Sequence, residues 1–207
     1  MDFNTNKRSL DSRFIIIVNG TSSVGKTTFA KLLLDNLHID TVRYVGVDSF
    51  VDMLPQYLVG DREEARAGFF FSKNTDGVGI EVGKQGEQVI ASMHLFVKAL
   101  VTSGLSAIVD HVLLSPHWAQ QLQQLAADTG VTVVRILVTC SPDESSRRER
   151  ARGNRRLGLE SGLRHVENNS TQYDFVIDST AQSPEQMVAV ALQGLQSRIV
   201  LPEALPA

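Results

Sequence analysis

Gly20-Thr21-Ser22-Ser23-Val24-Gly25-Lys26-Thr27 decides the reading of this chain. It follows the apolar run Phe14-Ile15-Ile16-Ile17-Val18 and precedes a helical pattern with Phe29, Leu32, Leu33 and Leu37 on one face. A strand, a Gly-rich loop and a helix are the context in which G-x-x-x-x-G-K-[ST] binds phosphate. The glycines let successive main-chain N–H groups turn inward toward an anion, and the helix start adds its positive dipole end. Gly20 through Thr27, with Thr28 beside them, are therefore expected to hold a nucleoside triphosphate. Lys26 is placed to reach the β- and γ-phosphates, and the Thr27 hydroxyl to ligate Mg²⁺.

Composition fits this reading. The chain has 207 residues, 43% apolar and 21% charged, which suits one soluble α/β domain with a buried core. Net charge is −3, and it is uneven: residues 147–156 hold six Arg and one Glu, or +5, leaving −8 elsewhere. A basic segment on a mildly acidic chain points to one anionic ligand, not to nucleic acid. Cys140 stands alone, so no internal disulfide or Cys-based metal site is expected, and it reads as a small buried hydrophobe. Residues 1–12 read as a polar tail without the apolar core of a signal peptide, and 201–207 as a short C-terminal tail. No stretch is long and apolar enough for a membrane span, so a cytoplasmic protein without membrane partners is expected. Nothing in the sequence speaks to oligomeric state.

Outward from the loop, residues 41–47 alternate as a strand that ends at Asp48. Ligands of open α/β sheets gather beyond the carboxyl ends of strands, so Asp48 is placed for chemistry; alternatively it caps a helix starting at Phe50. Residues 50–82 form an irregular excursion, with Asn74-Thr75-Asp76-Gly77 as a hairpin turn between 70–72 and 78–82. Such an excursion can wall an acceptor pocket, with Phe50, Met53, Leu54 and Phe70 as its apolar surface. The cluster Phe69-Phe70-Phe71 can equally anchor the hairpin to the core. A helix is expected over 84–102, then the strand Ser106-Ala107-Ile108-Val109-Asp110, whose terminal acid matches a Walker-B ligand for Mg²⁺. His111 follows it, within reach of substrate or metal-bound water.

A helix from Pro116, a strand over 131–138, and a helix opened by Ser141-Pro142-Asp143-Glu144 come next. That last helix carries Arg147, Arg148, Arg150 and Arg152, with Arg155 and Arg156 beyond Gly153. One-signed arginines after the fourth strand of a P-loop fold suit a lid over 147–165, with Arg148, Arg152 and Arg155 on the phosphates or base. A last strand, Phe175-Val176-Ile177-Asp178, leads to Ser179 and Thr180 beside the nucleotide and to a final capped helix from Ser183. His38, His94, His117 and His165 lack ligand spacing. The expected fold is a single α/β P-loop domain over 13–200: a five-stranded parallel sheet, helices on both faces, an arginine-rich lid and a hairpin excursion.

These stretches resemble the chloramphenicol phosphotransferase family, small adenylate-kinase-like P-loop kinases that phosphorylate a hydroxyl of the antibiotic. The likeness runs from about Phe14 to Thr180. It rests on Asn19-Gly20 with Ser22-Ser23 and Gly25-Lys26, on Gly46-Val47-Asp48-Ser49, and on Ile108-Val109-Asp110 with Val112. Ala151-Arg152-Gly153 with Arg155, and Tyr173-Asp174 before Asp178, complete it. The resemblance implies Asp48 as the base acting on the acceptor hydroxyl and antibiotic inactivation as a role; the P-loop motif and the arginine run add Lys26, Arg152 and Arg155 to the catalytic group. His111 stands where the family pattern has a second Asp, Thr27 replaces a Ser, and the 60–76 excursion differs. The expected reaction is ATP- and Mg²⁺-dependent phosphorylation of a hydroxyl on a small, partly apolar acceptor. A metabolic kinase of a sugar, nucleoside or nucleotide is the alternative, and a nucleotide-dependent regulatory ATPase a further one.

Overall fold

The computed structural model describes residues 13–152, 157–168, 172–199 and 201. The expected tail at 1–12 lies outside the described residues, as do Arg155 and all but Leu201 of the expected tail at 201–207. The elements are β1 (Phe14–Asn19), α1 (Lys26–Leu37), β2 (Val42–Gly46), α2 (Val47–Val51), β3 (Val59–Gly60), β4 (Phe69–Asn74), β5 (Gly77–Val82) and α3 (Lys84–Thr102). They continue as β6 (Ser106–Asp110), α4 (Pro116–Thr129), β7 (Thr132–Thr139), α5 (Pro142–Arg152), α6 (Leu159–Gly162), β8 (Phe175–Asp178) and α7 (Pro184–Leu195).

Five strands form a parallel sheet in the order β2-β6-β1-β7-β8. The P-loop strand β1 is central and fully buried, which is why it reads as an unbroken apolar run without alternation. Its side chains still part by the two-residue period of a strand. Phe14, Ile16 and Val18 face a core completed by Phe29 and Leu33 of α1 and by Met187 and Ala191 of α7. Ile15 and Ile17 face the opposite core, with Ile90, Met93 and Val97 of α3 and Trp118 and Leu122 of α4. Helices thus cover both faces, and the C-terminal ends of the strands open on one edge, where every chemistry-bearing loop collects.

The excursion is more ordered than its sequence suggests. It contains two 3-10 turns, Gln56–Leu58 and Glu63–Ala67, and a second sheet in the order β3-β4-β5. β4 and β5 form the expected antiparallel hairpin, its turn set by Asn74, whose Oδ1 accepts from the Asp76 N–H at 3.1 Å. The hairpin docks on α6: Val78 donates to the Gly158 carbonyl at 2.8 Å, and Val78, Leu159 and Leu163 form a small separate core. The strand before Asp48 ends at Gly46, and α2 starts at Val47, not at Phe50. Asp48 lies inside the first turn, and the N-cap position belongs to Gly46, which makes no side-chain cap bond. A carboxylate there still meets the positive end of the first-turn N–H groups.

Candidate active site

The loop after β1 is built by close approach. A Cβ at Gly20 would sit 2.2 Å from the Val138 carbonyl of β7, and its φ of +150° is one that side chains disfavour. Gly25 caps α1 at φ +96° without any side-chain bond, which leaves the first-turn N–H groups of α1 for an anion. Ser23 adopts φ +63°, a conformation a non-glycine residue holds only where its surroundings over-determine it. Thr21, Ser22 and Val24 are buried, and Lys26 donates its Nζ to the Thr21 carbonyl at 2.7 Å across the loop.

The two residues read as cation ligands come together. Thr27 Oγ1 donates to Asp110 Oδ2 at 2.6 Å, from the start of α1 to the end of β6. Tyr44, which the sequence did not single out, donates its hydroxyl to the same oxygen at 2.9 Å. Burial and the Asp110 charge raise the Tyr44 phenol above its usual pKa. One alcohol and one carboxylate suit Mg²⁺, which keeps waters and phosphate oxygens for its other positions. Among the described residues no cluster of three His, Cys, Asp or Glu offers a rival metal cage.

A first cavity of ≈ 410 Å³ lies over the loop, lined by Ser23, Gly25, Lys26, Thr27 and Thr28 and by Asp48 and Asp110. Arg147, Arg148 and Arg152 of α5 line it too. Arg148 is fixed by Glu144 Oε1 at 2.8 Å, Ser179 Oγ at 3.0 Å and the Ser179 carbonyl at 2.7 Å. Ser179 and Thr180 stand behind the cavity instead of lining it. Ser179 Oγ donates to the Val24 carbonyl at 2.7 Å, and Thr180 Oγ1 accepts from the Ser141 N–H at 2.9 Å. They tie the loop after β8 to the P-loop and to the start of α5, and so hold Arg148 in place.

A second cavity of ≈ 390 Å³ adjoins the first, and Asp48, Val47 and Val112 line both. Its walls are apolar: Val51 of α2, Phe69 and Phe71 of β4, Ile80 of β5, Ile90 of α3 and Trp118 of α4. Leu159 and Leu163 close it from the α6 side, and Ser22, Asp48 and Asp52 are its polar lining.

The acceptor surface expected from sequence is placed differently. Phe70 points away because β4 alternates, and its ring lies 3.9 Å from the Arg66 guanidinium on the other face. Its neighbours Phe69 and Phe71 line the cavity. Phe50 packs on Phe96 of α3, ring centres 5.9 Å apart, and Met53 is 69% exposed. Leu54 borders an adjacent groove with Val51 and Asp52. His111 is fully buried, its Nε2 3.2 Å from His94 Nε2 and its ring 5.5 Å from Trp118, and it lines neither cavity. Burial and the neighbouring His94 push its imidazole down to about 3.

Two groups escaped sequence reasoning besides Tyr44. Leu159 and Leu163 share one side of α6 at four-residue spacing, a signal that is visible but too short to stand out. Glu160 of α6 is buried, its carboxylate taking Ser145 Oγ at 2.7 Å and Ser146 Oγ at 3.1 Å from α5 and contacting Arg164. Its main-chain carbonyl accepts from Thr21 Oγ1 at 2.8 Å, which joins α6 to the P-loop.

Comparison with known proteins places this geometry among kinases. The family described as chloramphenicol phosphotransferase-like protein matches residues 13–196. A provisionally assigned O-phosphotransferase of Mycobacterium tuberculosis strain H37Rv is 28% identical over 173 residues, covering 81% of this chain and 75% of its own. A sugar kinase from Janibacter sp. HTCC2649 superposes with a TM-score of 0.60 at 20% identity, over 89% of this chain and 95% of its own. The APS kinase CysC of Mycobacterium tuberculosis, solved with AMPPNP and APS, superposes with a TM-score of 0.61 at 14% identity, over 90% and 99%. At such identities the two structures share the P-loop kinase fold with this chain.

Proposed function

The chain belongs to the chloramphenicol phosphotransferase-like family, and on that footing we propose that it transfers the γ-phosphoryl group of ATP to a hydroxyl of a small, largely apolar acceptor. The observation that carries this reading is the position of Asp48, shared by the phosphate-loop cavity and the apolar cavity beside it. A carboxylate at that junction can face an acceptor on one side and the outermost phosphate on the other.

Each residue then has a task. The P-loop N–H groups and Lys26, released from the Thr21 carbonyl, hold the β- and γ-phosphates. Arg148 and Arg152 meet the charge on the moving phosphoryl group from the α5 side. Thr27 and Asp110 would hold a magnesium ion, which would supply neutralising charge to the phosphates. Asp48 orients the acceptor hydroxyl and takes its proton. The hydroxyl oxygen bonds to phosphorus as the bond to the ADP oxygen breaks, giving ADP and a phosphate monoester. Because the transition state is loose, Asp48 works mainly by positioning. The apolar walls exclude water, which limits wasteful hydrolysis of ATP.

The lining of the second cavity includes no Lys or Arg among the described residues. A nucleotide or sugar phosphate would bury its anion there without a partner, which disfavours such acceptors. The test is a coupled ADP-release screen over hydroxylated aromatic compounds with chloramphenicol among them, and over sugars, nucleosides and nucleotides. Stimulation confined to the apolar alcohols supports the proposal. Stimulation by sugars or nucleosides alone replaces it with a metabolic kinase, and hydrolysis unaffected by any acceptor points to a regulatory ATPase.

A further inference from the structure

Tyr44 reaches the cation pair by a route the chain is built to allow. It sits on the edge strand β2, opposite Ile108 of β6, and Gly46 is opposite Asp110. To touch Asp110 the tyrosine side chain must run two residues along its own strand and pass over residue 46. A Cβ at that position would lie 2.5 Å from the Tyr44 hydroxyl oxygen and 2.9 Å from its ring. Glycine therefore clears the path. The ring is half-buried against the α1 core, with Lys31 Nζ of α1 5.4 Å from its centre. It is thus held from two sides before its hydroxyl meets the carboxylate.

Both side-chain bonds to Asp110, from Thr27 and from Tyr44, fall on Oδ2. Among the described residues this leaves Oδ1 with its full acceptor capacity for a cation or its water. Thr27 must also offer an oxygen lone pair to the cation, so its own hold on Asp110 is tied to that geometry. Tyr44 has no such second duty. We infer that Tyr44 is a positioning residue of the divalent-cation site, fixing the Asp110 carboxylate in a cation-ready orientation by a charge-assisted hydrogen bond. Outer partners of this kind typically govern cation affinity or activity by 10- to 100-fold.

This inference rests on the reading of the site as a magnesium-dependent kinase, and the test keeps the two apart. Mn²⁺ binding is followed by electron paramagnetic resonance in the presence of AMPPNP, for the wild-type protein, Tyr44→Phe and Gly46→Ala. Gly46 has φ −102° and ψ 132°, so alanine suits its backbone and acts by displacing the phenol. Both variants should weaken Mn²⁺ by about 10-fold or more, with AMPPNP affinity in EDTA unchanged. Once an acceptor is known, saturating Mg²⁺ should restore kcat. Mn²⁺ affinity within twofold of wild type in Tyr44→Phe would overturn the role of Tyr44 alone. A wild-type protein that takes up no Mn²⁺ with AMPPNP would overturn the kinase reading and this inference together.

Discussion

Replacing Glu160 by Ala should destabilise the junction of α5 with α6, by an amount the structure lets one work out. The carboxylate is 1% exposed and holds the Ser145 and Ser146 hydroxyls and the Arg164 guanidinium. Bonds to a charged group are worth roughly 1.5–3 kcal/mol each, and breaking a fully buried pair costs about 3–5 kcal/mol. Two features reduce the total. Ser145 Oγ also lies 2.7 Å from the Ser141 carbonyl and keeps a partner, and the Arg164 side chain is 30% exposed, so water screens its stranded charge. A loss of about 3 kcal/mol is expected, and at about 2–4 °C per kcal/mol for a chain of this size the melting temperature should fall by roughly 6–12 °C. Circular dichroism melting and a urea midpoint with unchanged slope would measure it. Alanine keeps the main-chain acceptor for Thr21, so AMPPNP should still bind the folded variant. A melting temperature within about 2 °C of wild type would refute the idea that this buried carboxylate braces α5 against α6.

Lys26→Ala should lower phosphoryl transfer by about 10²–10³-fold for every acceptor, as loss of an oxyanion-type contact does; steady-state kinetics with an unchanged far-UV spectrum would check it. Phe71→Ala should raise the acceptor KM by roughly 10-fold, the size of losing one half-buried aromatic contact, and leave the ATP KM alone. Phe70→Ala, one residue away on the opposite face, should leave both unchanged, and equal effects would show the wrong β4 face assigned to the cavity. Stability should also fall in mild acid through His111. Its folded pKa of about 3 lies below the unfolded value, so the unfolded chain binds the extra proton as pH drops through the ordinary imidazole range. Between pH 7 and 5 this amounts to roughly 2 kcal/mol of lost stability, and urea midpoints should show His111→Asn with a flatter pH profile than wild type.

The sheet and its loops were largely legible because their signals are local. An apolar run before Gly20, an acid closing the β6 run, and Ser-Pro starts of α5 and α7 each carry their meaning within a few residues. Three consecutive phenylalanines carry no such signal, since a strand turns alternate residues to opposite faces and the tertiary partner decides which face is inside. The sequence alone offers Phe70 to the pocket, where Phe69 and Phe71 hold that place. His111 pairs with His94 seventeen positions away, across two elements, and its spacing predicts nothing of this contact. The same holds for Tyr44 and Asp110, which the β2–β6 register brings together over 66 positions. The sequence pattern sets the start of α2 three residues late because its N-cap is Gly46, which has no capping side chain, while Asp48 inside the first turn has the look of a cap. Function remained readable where one short motif holds its own backbone geometry, and became obscure where chemistry depends on distant pairs.

The most direct measurement compares wild type with Asp48→Asn by ³¹P NMR of the acceptor product, alongside AMPPNP binding. The account predicts a new phosphate monoester matched by equal ADP with wild type. It predicts a rate at least about 10²-fold lower for the variant, the usual contribution of a positioned base, with nucleotide affinity preserved. An Asp48→Asn protein that forms the ester at the wild-type rate, or a wild type that releases ADP with no ester formed, would contradict it.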